Sequence, residues 1–290
     1  INSDEISTFM SILINNSINS MYTAFTNDTI RTAVDNYCNP ETYEETIDMF
    51  GQIYNWDVSQ VTNMKGLFKD KTSFNESLSN WDTSSVTDMS NMFQGATSFN
   101  QSLSTWNVSN VTDMSNMFNG ATDFNGSIGS SWNTSSVTNM NSMFSGASSF
   151  NQNISVLNTS YVTDMSYMFY NATSFNCGYG AGSSSWQSTL NGVYKSGTWR
   201  WDVSNVENMT SMFENASSYT NDQYWSNLGL WNINSTLNDG EGPIRTNMLA
   251  GTQSLTLYIN GDEYGGAKVQ SDNDYTPSID FFNQVYLLAI

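Results

Sequence analysis

The 290-residue chain has no histidine, two cysteines, three prolines, and eight Lys or Arg against 27 Asp or Glu. Each scarcity excludes something. A net charge of −19 leaves no basic patch to neutralise phosphates, so nucleic acid is not an expected partner. Anionic membrane surfaces, which attract Lys/Arg clusters, are disfavoured for the same reason. No run of 18 apolar residues occurs, and the apolar stretch 281–290 is too short to span, so membrane insertion is not expected. Without His, and with neither a Walker loop, a nucleophile elbow nor a metal-ligand cluster, the chain does not read as an enzyme. Glu44 and Glu45 are paired carboxylates, but they sit on what reads as a solvated helix. No cofactor is expected. The chain starts at Ile1 rather than Met, which suggests a removed signal peptide.

What is present is Asn, Ser and Thr, and a period. Trp recurs at 56, 81, 106, 132, 201 and 231, with Leu157 in its place in the fifth copy. Met recurs at 64, 89, 114, 140, 165, 209 and 248, and Phe at 68, 93, 118, 144, 169 and 213. A 25-residue period sustained over 56–255 means stacked coils, each too small to bury a core alone. Parallel neighbours about 4.8 Å apart would make seven coils roughly 35 Å long.

Within the third copy, Val111, Met114, Met117, Phe118 and Ala121 lie at spacings that predict one face of a short helix. Asp70, Gly95, Gly120, Gly146, Asn171, Asn215 and Gly251 mark its end, because Gly, Asn and Asp tolerate the left-handed backbone of a cap. The stretch 99–106, with Phe99 and Leu103 on one face, reads as the strand of each coil. Residues 23–55 form a helical cap, with Thr26 or Asn27 at the helix start and Phe25, Ile30, Ala33, Val34 and Tyr37 on its apolar face. Alternation over 255–261 ending in Asn260–Gly261 predicts a strand and hairpin, opening a C-terminal β cap or assembly segment over 256–290. Residues 1–22 stand apart as a possible assembly arm. Two insertions, 177–198 and 232–246, interrupt the period and project from one face, as binding loops or as tolerated surface loops.

The run 81–100, Trp-Asp-Thr-Ser-Ser-Val-Thr-Asp-Met-Ser-Asn-Met-Phe-Gln-Gly-Ala-Thr-Ser-Phe-Asn, and its counterpart at 106–125 resemble a bacterial surface-protein repeat of about 25–26 residues. This is the BspA-like family, seen in mycoplasma lipoproteins, microbial eukaryotes and giant algal viruses. The resemblance covers about residues 23–255. It implies a leucine-rich-repeat-like α/β solenoid, a right-handed stack of about seven coils with parallel strands and short helices, in a cell-surface or secreted setting and without enzymatic activity.

Candidate sites follow from the columns. Asp57, Asp82, Asn107, Asn133, Asn158, Asp202 and Asn232 follow each Trp or its Leu replacement; they read as hydrogen-bonded turns, with calcium the lesser reading. Asn75, Asn100, Asn125, Asn151 and Asn176 read as a ladder bonded to neighbouring backbone, which would leave the sequons at 75, 100 and 125 unmodified. Better glycosylation candidates are Asn171, Asn208 and Asn215, with Asn27 and Asn234. Cys38 and Cys177 lie five coils apart, too far for an intramolecular disulfide; they are free thiols or link two subunits. The function expected is that of an extracellular surface glycoprotein, structural or adhesive, whose rigid repetitive face contacts a surface protein or glycan. The alternative is a homopolymer, a filament or surface layer joined through the non-repeat ends.

Overall fold

The computed structural model describes residues 24–129, 132–154, 156–176 and 201–219, and the backbone of 258–259 and 262–263. The arm 1–22, both insertions, Cys177, Asn232, Asn234, the copy around Trp231 and Met248, and most of 256–290 lie outside the described residues.

Two helices open the described chain. Helix α1, Asn27–Tyr37, starts at a capping box in which Thr26 and Thr29 satisfy each other's backbone N–H. Ile30, Ala33, Val34 and Tyr37 are its buried face, as their spacing requires. The helix stops at Tyr37 because Pro40 cannot continue it: the Asn39 carboxamide accepts from Glu41 N–H, and the chain re-enters a helix only at α2, Tyr43–Phe50. Phe25, Phe50 and Tyr37 then pack their rings around Trp56, with centroids at 4.8, 6.0 and 5.6 Å.

From Trp56 onward the described repeats form neither the short helix nor the 99–106 strand that their spacing predicts. Each coil is instead a chain of turns. Met92 N–H donates to the Met89 carbonyl, Gln94 to Asn91, and Ala96 to Phe93, each three residues back. The intervening amides point the other way: Met89 donates to Asp113, Asn91 to Ser115, Phe93 to Met117, and Gly95 to Asn119, all at 2.8–3.0 Å. A helix would turn every N–H along its own axis and leave none for the neighbouring coil. Turns with positive φ at their third residue resolve this conflict. Two columns therefore adopt the left-handed region. One is the expected Asp70, Gly95, Gly120, Gly146, Asn171 and Asn215; the other is Gly66, Asn91, Asn116, Ser142, Tyr167 and Ser211.

Parallel pairing is present, but elsewhere than expected. It is confined to one bridge per coil, at Asn63, Asp88, Asp113, Asn139, Asp164 and Asn208. Side by side with it runs the core. Phe93 and Phe99 stack within a coil at 4.0 Å, and Phe93 stacks on Phe118 of the next coil at 5.6 Å. The stack runs unbroken from Phe68 to Phe213, and it crosses directly from the fifth coil to the sixth, where Phe169 lies 5.3 Å from Phe213. Met165 N–H likewise donates to the Asn208 carbonyl at 2.9 Å. The fifth and sixth coils thus keep the register of the coils before them.

The first coil has no predecessor, and α1 supplies what one would. Later coils send the second-position Thr amide back to the preceding coil, as Thr87 N–H does to the Thr62 carbonyl. In the first coil the Asn27 Oδ1 accepts from both Thr62 and Asn63 N–H, at 2.9 and 3.0 Å. Arg31 replaces the missing donors: its guanidinium reaches the Lys65 carbonyl at 2.6 Å and the Asn63 Oδ1 at 2.9 Å. At the other end of the chain, β1, Tyr258–Ile259, pairs antiparallel with β2, Asp262–Glu263, with Ile259 opposite Asp262. That register is the one a hairpin turning at 260–261 requires.

Candidate functional site

The regular columns are occupied by folding tasks. Asp57, Asp82, Asn107, Asn133, Asn158 and Asp202 each accept, through Oδ1, the N–H of the Ser two residues on. At Asp82 this pair of bonds from Ser84, the hydroxyl first and the backbone amide second, holds the carboxyl below its ordinary range. A second column does the same one position before the Met: Asn63, Asp88, Asp113, Asn139, Asp164 and Asn208 accept from the residue two on. Sequence reading missed this column, although Asx turns are open to the same residue types at either place. Among the described residues, no three His, Cys, Asp or Glu side chains gather into a metal-sized group.

The Asn ladder is a chain of side chain to backbone bonds. Asn100 N–H donates to the Asn75 Oδ1, Asn125 to Asn100, Asn151 to Asn125, and Asn176 to Asn151, at 2.8–2.9 Å. A parallel Thr ladder passes hydroxyl donation backward, Thr97 to Thr72 and Thr122 to Thr97. Buried Thr83, Thr134 and Thr159 bond forward to the carbonyls of Asn107, Asn158 and Asp202. Each Trp binds backward as well. Trp81, Trp106 and Trp132 donate Nε1–H to the carbonyls of Ile53, Leu78 and Leu103, 28 or 29 residues back. Trp201 Nε1 is the exception: it is buried with no partner.

The glycosylation candidates fall at different places. Asn27 is committed to the first coil, since its Nδ2 also donates to the Thr62 hydroxyl at 2.9 Å. Asn208 is an Asx-turn residue on the bridge column. Asn215 donates its Nδ2 to the Asn171 Oδ1 at 3.0 Å, so Asn171 is the acceptor of that pair. Cys38 is a half-buried free thiol. Burial first, and Asp35 after it, push it up to about 11, against the opposing influence of Lys71.

Cys38 lines a cleft of about 320 Å³ between the helical cap and the first coil, together with Tyr37, Tyr43, Lys71, Asn75 and Glu76. Lys71 bridges that junction through an ion pair with Asp35 at 2.7 Å. Tyr37 packs edge-on against Tyr43, and burial raises its hydroxyl pKa well above the ordinary tyrosine range. Among the described residues, no helix is long and apolar enough to cross a membrane.

The turn-and-ladder unit recurs over the same residues that match one family, described as "Mycoplasma protein of unknown function, DUF285". Three overlapping matches cover 39–131, 103–191 and 131–242. The chain belongs to this family. The DUF285 matches overlap over 103–131 and 131–191, as tandem copies of a common unit do, and together they take in α2 and all the described coils. No curated protein and no solved structure matches the chain.

Proposed function

We propose that this DUF285 protein is a non-enzymatic extracellular surface protein, a leucine-rich-repeat-like solenoid of the BspA-like kind, whose stacked coils display one rigid repeating face to a protein or glycan. The observation that carries the reading is the Asn75–Asn100–Asn125–Asn151–Asn176 ladder and the Thr72–Thr97–Thr122 ladder beside it. Each places the same polar group at the same register on successive coils, and rigidity is what lets weak equivalent contacts add. The polar, acidic composition suits a wet, extracellular surface.

Immunolabelling of producing cells tests the setting. Signal on intact, unpermeabilised cells or in the medium is the expected result; signal only after permeabilisation overturns the reading. Display is tested by comparing monomeric protein with a streptavidin-tetramerised form on a glycan and matrix-protein array. Tetramers should gain about 10²-fold or more in apparent affinity on the bound spots.

A further inference from the structure

The fifth coil departs from its own columns at three positions outside the core, and all three departures are to tyrosine. Tyr161 stands where other coils have Gln60, Ser85, Asn110, Ser136 and Asn205. Tyr167 stands where they have Gly66, Asn91, Asn116, Ser142 and Ser211, and Tyr170 where they have Lys69, Gln94, Asn119, Ser145 and Glu214. Tyr161 and Tyr167 are 63% and 40% exposed, among the few large apolar side chains that reach solvent in the described residues.

Tyr167 has φ 58°, a left-handed conformation that bulky residues avoid and that Gly and Asn adopt readily. Its ring does not offset that strain by burial. It stands instead against the Tyr170 ring at 5.7 Å and 71°, an open aromatic corner held by the turn bond from Tyr170 N–H to the Tyr167 carbonyl. In the third coil the same two positions are Asn116 and Asn119, joined by an amide hydrogen bond of 2.9 Å. The fold therefore accepts a polar pair here, and the fifth coil carries an aromatic one.

The surroundings choose the ligand's charge. Among the described residues from 72 to 219 the chain has carboxylates but no Lys or Arg; Lys195 and Arg200 lie outside them. Glu214 follows Tyr170 one coil on in the same column, and Asp164 lies in the same coil. Two ring faces at 71° on a chain of net charge −19 attract an organic cation.

We infer that Tyr167 and Tyr170 form a docking site for an Arg or Lys side chain of a cationic protein segment. The inference rests on the surface-display reading and names the class of partner. It accounts for a strained, exposed tyrosine that packing alone does not require.

The test uses the full chain, a fluorescein-labelled octapeptide of alternating Arg and Gly, and anisotropy at about 150 mM salt, where distant charges are screened. Y167N/Y170N restores the pair that the third coil carries and leaves the net charge unchanged. It should weaken binding by about 5- to 30-fold, while Y167F/Y170F retains it. Tetramethylammonium should compete. Equal affinity of wild type and Y167N/Y170N, or no binding by wild type, overturns the inference. Competition by a methyl glycoside instead of tetramethylammonium would assign the corner to sugar and also overturn it. A lowered urea midpoint for Y167N alone would show that the ring serves packing, with the same consequence. Surface labelling of cells is read separately, so loss of the cation site and loss of the display reading are distinguishable.

Discussion

Arg31 in the helical cap donates to the Lys65 carbonyl of the first coil at 2.6 Å, the place where a preceding coil would put a backbone amide. The corresponding bond one coil on is Gly66 N–H to the Ser90 carbonyl at 2.9 Å. A side chain thus imitates a missing repeat. Arg31→Ala should lower stability by about 1.5–3 kcal/mol, the range for a hydrogen bond to a charged group. Urea denaturation followed by tryptophan fluorescence would show it. A loss under about 0.5 kcal/mol would mean that the Asn27 bonds alone close the first coil.

The tryptophans are unequal. Trp106→Phe removes the Nε1–H bond to Leu78 as well as ring volume, whereas Trp201→Phe removes volume and one buried unpaired donor. Trp106→Phe should therefore be the more damaging by about 1–3 kcal/mol, the cost difference between a made and an unmade buried bond. Equal losses in paired chemical denaturation curves would count against this.

In a host that glycosylates Asn, glycopeptide mass spectrometry should find Asn171 occupied and Asn75 and Asn100 bare. The Asn75 and Asn100 carboxamides carry the ladder, and Asn75 also accepts from the Gln101 side chain at 3.0 Å. Asn171 uses only its oxygen, toward Asn215. The reverse occupancy would show that the ladder opens during modification.

Alkaline pH should loosen the cap before the coils. The Cys38 thiol holds its proton more tightly when folded, so its contribution is fully present below about pH 9. It is lost as pH rises through about 11. Tyr37 titrates higher still for the same reason, burial. Cys38→Ser should flatten the stability profile between about pH 9 and 11, measured by urea midpoints across that range. Iodoacetamide should modify native Cys38 at pH 8 much more slowly than the urea-unfolded chain, since only the thiolate reacts.

Much of the arrangement was legible in the columns. The apolar positions named from spacing are the buried ones, and the Gly/Asn/Asp column has positive φ at every described member. The Asx turn after each Trp or its Leu replacement and the Asn ladder follow from side chains whose bonding range is local or one coil wide. The helix was misread because Val111, Met114, Met117, Phe118 and Ala121 bring the same residues inward whether the backbone bonds four back or alternates between three back and the next coil. Gly66, Asn91 and Asn116 carry a signal of the second left-handed column, but Ser142, Tyr167 and Ser211 in the same column hide it. The aromatic corner is a departure from the period, so no column of the repeat announces it.

The sequence by itself determined which residues face inward, one of the two places where each coil turns left-handed, and that one copy cannot stand alone. Those are properties of side-chain size, Cβ sterics and hydrogen-bonding groups within a few residues. Only the tertiary structure decided where the amides go. Met89, Asn91, Phe93 and Gly95 donate to Asp113, Ser115, Met117 and Asn119, acceptors that lie 24 residues further along the chain. A buried N–H takes whichever carbonyl is near and aligned, and that is settled when one coil lands on another.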